Sequence, residues 1–225
     1  MSYINELLFG LYPYFAFVVF LVGSWARYDR EQYTWKAGSS QMLDKKGFRL
    51  ASNLFHVGVI FIVLGHVVGL LTPHAVYEVF MTSATKQMVA MVAGGFAGVF
   101  ALWGGILLLK RRLTNPRVRA TSSKGDILVL VMLVTQAGLG MLTLIPSMQH
   151  LDGSVMLELA AWAQGIVTFQ SDAASHLEGV SIIYKLHIFL GLSLFVVFPF
   201  TRLVHVLSVP VKYFARNYQI VRQRG

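Results

Sequence analysis

Cysteine is absent from all 225 residues. That excludes disulfides, thiolate-bound metals, iron–sulfur clusters and a covalent c-type haem, which requires C-x-x-C-H. Charge is scarce too: 13% of residues are Asp, Glu, Lys or Arg, against about 25% in a soluble domain. Acid is the scarcer sign, 10 residues against 19 Lys and Arg, for a formal net charge of +9. Apolar residues fill the space, with 56% hydrophobic content and a mean hydropathy of +0.62. This composition belongs to a membrane protein, and the meaning of its positive charge rests on where that charge falls.

Five apolar runs reach the roughly 20 residues a helix needs to cross the hydrocarbon. They lie near 4–26, 50–71, 87–109, 127–145 and 182–208. The expected fold is all-α and integral to the membrane. One membrane domain spans 1–225, with 209–225 as a cytoplasmic tail. The first run has neither a basic region before it nor a small-residue cleavage site after it, so it reads as a retained span rather than a signal peptide.

Basic residues gather in alternate connections. Arg27, Arg30, Lys36, Lys45, Lys46 and Arg49 lie between spans one and two. Lys110, Arg111, Arg112, Arg117, Arg119 and Lys124 lie between three and four, and Lys212, Arg216, Arg222 and Arg224 in the tail. The other side holds only Lys86 and Lys185, with Glu6, Glu78, Asp152, Glu158, Asp172 and Glu178. The N-terminus is therefore expected in the periplasm and the C-terminus in the cytoplasm. Topology accounts for the charge, and no role for nucleic acid is needed. The basic loops and tail, rich in aromatics, suit either headgroup anchoring or docking of a cytoplasmic partner. In the long outer loop, "GSVMLELAAWAQGIVTF" reads as a helix lying in the interface.

Of seven histidines, His74, His150 and His176 fall in outer connections. His56 and His66 lie inside span two, and His187 and His205 inside span five. Ionisable side chains at such depths are uncommon and usually functional. Span two runs inward to outward and span five the reverse. His66 and His187 are each about five residues, or roughly 8 Å, below the outer end. Antiparallel neighbours would bring His66 level with His187, and His56 level with His205. His187 and His205 are eighteen residues apart, about five turns, and so share a face of a continuous helix. The rises differ, about 15 Å against about 27 Å, so tilt and a kink at Pro199 must absorb the difference.

Zinc would call for four ligands, often thiolate or carboxylate, and no Cys, Asp or Glu lies at these depths. A flat apolar macrocycle between two imidazoles fits better. Bis-His ligation fills both axial positions of a haem iron and suits electron transfer. Gly191, one turn from His187, with Gly65 and Gly69 beside His66, would give a porphyrin room. Small-residue helix packing explains the same glycines, and those of span three. Arg112 and Arg202 could pair with haem propionates, or simply anchor the inner face. Lys86 begins span three near the level of His66. It reads either as a snorkelling lysine or as a donor to a quinol oxygen.

Several stretches are specific enough to carry a resemblance: "YTWKAGSSQMLDKKGFRLASNLFHVGVIFIVLGHVVGLLTPH", "LLLKRRLTNPRVRATSS", "WAQGIVTF" and "YKLHIFLGLSLFVVFPFTRLVHVLSVP". With them, almost the whole chain resembles the gamma subunit of bacterial respiratory nitrate reductase, a cytochrome b of the inner membrane with two haems b. The resemblance implies His66/His187 as axial ligands of the outer haem and His56/His205 of the inner. It implies a quinol site, for menaquinol or ubiquinol, beside the outer haem with Lys86. It also implies a cytoplasmic iron–sulfur beta subunit and a molybdenum-containing alpha subunit, with a dimer of heterotrimers among the assemblies it allows. Quinol protons would leave outside while electrons travel inward to nitrate. Two other readings stand beside this one. The first is a haem b anchor of a hydrogenase or formate dehydrogenase. The second is a transporter using intramembrane histidines for protons or metal, for which midplane carboxylates are lacking.

Overall fold

A computed structural model of the chain describes residues 3–208 and Ala215. The tail expected over 209–225 lies outside the described residues except for Ala215. Six helices carry the architecture: α1 Tyr3–Arg30, α2 Phe48–Leu71, α3 Ser83–Thr114, α4 Lys124–Met148, α5 Ser154–Val167 and α6 Ile182–Phe200. All but α5 are long and apolar enough to cross a membrane. Among the described residues there is no strand.

α3, α4 and α6 begin where the sequence supplies a capping hydroxyl, at Thr82, Ser123 and Ser181. The Thr82 hydroxyl accepts from the Thr85 amide at 3.2 Å and starts α3. Ser123 and Asp126 form a capping box at the start of α4, at 3.1 Å in both directions. Asp152 accepts from the amide and hydroxyl of Ser154 just ahead of α5, which holds its carboxyl below the usual range. α3 has 32 residues, about 48 Å of rise. It overshoots the hydrocarbon and carries Arg111 and Arg112 beyond the span expected over 87–109.

α2 and α3 are in backbone contact. A methyl at Gly58 would strike the Ala101 amide and, at 2.6 Å, the Ala97 carbonyl. One at Gly104 would strike the Phe55 amide and, at 2.7 Å, the Ala51 carbonyl. Small residues on both helices allow this approach. From α3 the packing passes to α4, then α6, then α1. α2 and α6 are not among the closely packed pairs.

α5 forms where a helix was expected, and one face of it packs against the bundle. Trp162, Ala163 and Ile166 are buried with Phe9, Ala173, Ala174 and Leu177. The Trp162 indole donates to the Phe9 carbonyl at 2.9 Å. We call this the α5 end of the bundle, and the opposite end the basic end. There, Arg111 donates to the Ser40 hydroxyl at 2.7 Å and to the Asp44 carbonyl at 2.6 Å, pinning the first loop to α3.

The span expected over 182–208 is not one helix. Proline has no N–H and its ring crowds the preceding turn. The α-helix stops at Val197, and a 3-10 turn covers Phe198–Phe200. Thr201 is extended, at φ −126° and ψ −179°, and a separate 3-10 segment runs Arg202–Leu207. His205 sits on that second segment. The face it was expected to share with His187 on a continuous helix therefore does not exist.

Candidate functional site

Four imidazoles form two pairs. The rings of His66 and His187 have centroids 6.0 Å apart, inclined at 36°. Those of His56 and His205 are 6.4 Å apart, inclined at 70°. The break at Pro199 reconciles the unequal spacings: residues after it need not continue the helical rise, and His205 meets His56 from a separate 3-10 segment.

Three of the rings are oriented by their own backbone. His66 Nδ1 lies 2.8 Å from the Ile62 carbonyl, His56 Nδ1 2.7 Å from that of Ser52, and His205 Nδ1 2.6 Å from that of Arg202. A carbonyl only accepts, so Nδ1 carries the proton, and Nε2 is the nitrogen left to serve as a ligand in the neutral ring. This is the arrangement that fixes a histidine ligand. The Nε2 atoms of these three rings have no hydrogen-bond partner among the described residues. On helices this apolar, a bare imidazole nitrogen is costly unless something satisfies it.

His187 is held differently, by α4. Gln136 Nε2 donates to the His187 carbonyl at 3.1 Å and lies 3.4 Å from its ring Nε2. A methyl at Gly140, one turn on, would come within 3.1 Å of His187 Cε1. Gln136 and Gly140 thus form the wall behind this ring. Neither was picked out from sequence, although an amide inside "LVTQAGLG" is a polar signal in an apolar span. The methyl missing at Gly191 would face Gln136 Nε2 at 3.1 Å, so that glycine makes room for a protein side chain. Nothing lies within 4 Å of the position a methyl would take at Gly65 or Gly69.

The pairs pass a simple test for a shared metal ion. Two rings in line on one ion need centroids about 6 Å apart, from two bonds of about 2 Å and roughly 1 Å from each nitrogen to its ring centre. Both observed spacings match. Among the described residues no group of three or more His, Asp or Glu gathers to hold a metal ion. Each site thus offers two imidazole nitrogens, a donor set that fits a haem. The histidine-bearing helices also meet through these rings rather than through closely packed backbones, as a flat group between them requires.

Arg112 and Arg202 are brought together. Arg112 Nη1 lies 3.6 Å and Arg202 Nη1 3.9 Å from opposite oxygens of Asp126. Arg112 also donates to the Ser122 hydroxyl at 2.7 Å. Arg202 donates to the Gly38 carbonyl at 3.1 Å and to that of Ala37. Two guanidinium groups share one carboxylate, leaving an excess positive charge close to His205, whose Nδ1 proton rests on the Arg202 carbonyl. Asp126 was overlooked in the sequence because it reads as a helix cap.

Lys86 does not snorkel. The residue is 8% exposed, its Nζ is 3.6 Å from the centroid of the Tyr77 ring, and that buried nitrogen has no hydrogen-bond partner. Tyr77 also lines a cleft of about 210 Å³ with His74, Glu158, Gln164 and His176. Gln164 donates to the Leu70 carbonyl at 2.9 Å, capping α2 one turn beyond His66. Lys86 and the His66/His187 pair both lie toward the α5 end, linked through Tyr77, this cleft and the end of α2.

A family model described as nitrate reductase gamma subunit matches residues 5–224. Respiratory nitrate reductase 1 gamma chain of Escherichia coli (strain K12) is 56% identical over 224 residues, covering 100% of both chains. The 2 gamma chain of the same organism is 52% identical, covering 100% of this chain and 99% of its own. The nitrate reductase gamma chain of Bacillus subtilis (strain 168) is 37% identical over 222 residues, covering 98% and 99%.

Proposed function

The chain belongs to the nitrate reductase gamma subunit family, and from that premise we propose a cytochrome b with two haems that oxidises quinol and delivers its electrons to cytoplasmic partners. It is a multi-pass protein of the bacterial inner membrane and a membrane subunit of a respiratory nitrate reductase complex. The observation that carries the haem reading is the double pairing: centroids 6.0 and 6.4 Å apart, with Nδ1 tied to a carbonyl in three of four rings.

In this reading His66 and His187 would hold one haem b and His56 and His205 the other. A haem held by such a pair would supply an iron that exchanges single electrons. Arg112 and Arg202 offer their surplus charge to propionates. Lys86, buried and unpaired against Tyr77, donates a hydrogen bond to a quinol oxygen and favours its anionic form as the proton departs. Substrate and protons are handled at the α5 end, proposed to face the periplasm. The basic end faces the cytoplasm, where its loops dock the iron–sulfur beta subunit and, through it, the molybdenum-containing alpha subunit.

The decisive measurement is a dithionite-reduced spectrum of the purified complex with a pyridine haemochrome assay. About two b haems per gamma chain are expected, and their absence would sink the proposal. His66→Ala should remove one haem and quinol oxidation while sparing the other haem. Survival of both would show the pairing to be wrong.

A further inference from the structure

The break in α6 lies against two residues of α1. Pro199 is among the most deeply buried side chains of the described chain. Its ring rests on Gly23, where an added methyl would come within 2.8 Å of Cγ and 2.9 Å of Cβ. One turn further along α1, Arg27 turns inward. Its Nη1 donates to the Pro199 carbonyl at 2.7 Å and to the Thr201 carbonyl at 2.8 Å. Its Nε and Nη2 donate to the hydroxyl and carbonyl of Thr34, at 3.1 and 2.9 Å.

We infer that Gly23 and Arg27 form a seat for the broken end of α6, and that this seat sets the position of His205. The inference rests on the reading of His56 and His205 as a ligand pair. Carbonyls at a helix end need donors, and Pro199 and Thr201 are both buried away from water. Arg27 supplies them on both sides of the extended Thr201. From there the path to the imidazole is short. The Thr201 hydroxyl accepts from the Leu203 amide at 3.4 Å, opening the 3-10 segment. The Arg202 carbonyl then orients the His205 ring at 2.6 Å. Trp35 and Arg202 tie the far side of the segment to the first loop, through Ser208 and through Ala37 and Gly38, but neither reaches the Pro199 carbonyl. Arginine suits the task because its planar fork serves two carbonyls from one nitrogen and the loop from the others; the single ammonium of lysine cannot span that spread. A residue kept only for topology would serve equally well as Lys.

Arg27 is thus a positioning residue, acting on the inner ligand through Pro199 and Thr201. The test uses the complete complex carrying Arg27→Lys, Gly23→Ala or Arg30→Ala. Readouts are haem content, the midpoint potential of each haem and its low-spin paramagnetic signal. In Arg27→Lys and Gly23→Ala, the His56/His205 haem should shift in potential and signal, while the His66/His187 haem keeps both. Partial loss of the inner haem is also expected, since supporting contacts of this kind are worth about 10- to 100-fold in affinity. Arg30→Ala, one turn on and exposed, should leave both haems as they were. The inference is overturned if the inner haem is unchanged in both seat variants, if both haems are lost together, or if Arg30→Ala has the same effect as Arg27→Lys. A wild-type complex without two b haems would instead refute the proposed function.

Discussion

Lys86 is the residue where burial carries the most meaning. A lysine 8% exposed, its buried Nζ over the Tyr77 ring and without a hydrogen-bond partner among the described residues, is far from its best solvation and ready to be satisfied by a ligand oxygen. Replacing it with Met keeps the stem and removes the donor. The expected outcome is two haems retained and kcat/KM for quinol reduced by about 10- to 100-fold, the worth of a hydrogen bond to a charged group. Stopped-flow reduction of the haems by a quinol analogue reads this directly, and an unchanged rate would remove Lys86 from the site. The histidines were legible in sequence because imidazoles stand out in apolar spans. Gln136, Gly140 and Asp126 were not, since an amide, a glycine and a helix cap have ordinary roles until their neighbours are known.

At the scale of elements, the α2–α3 contact is the tightest in the bundle, and it lies close to His56. Gly58 and Gly104 face backbone rather than flexible side chains, so neither neighbour can yield. Gly58→Val or Gly104→Leu should lower the melting temperature of the detergent-solubilised complex, with a cost of about 1–3 kcal/mol from overpacking. Gly94→Ala, with nothing within 4 Å, should leave it unchanged. Equal effects at all three would mean that the helices do not pack this way. Span three's glycines could be read beforehand as packing or as haem clearance. The structure assigns Gly104 to packing and turns Gly191 toward Gln136, because only the neighbouring helix reveals what a side chain would meet. The break in α6 was legible in part. Pro199 announced a kink, but the extended Thr201 and the separate turn bearing His205 depend on donors from α1.

For the whole molecule, the asymmetry of charge is the organising feature. The proposed orientation predicts that an alkaline phosphatase fusion between Thr72 and Thr82 is active. It also predicts that a fluorescent protein fused after Gly225 folds in the cytoplasm. The reverse pattern would invert the assignment of the two haems to the membrane faces. The apolar runs and the alternation of basic loops are written along the chain. Each depends on residues close in sequence, which is why five helices and a proposed orientation follow from sequence alone. Which histidine meets which was already suggested by depth. The way eighteen residues on one span match ten on another was decided only by tertiary structure. Pro199 ends the helix, the carbonyls of Pro199 and Thr201 must then find donors elsewhere, and Arg27, 172 residues from Pro199, is where the fold supplies them.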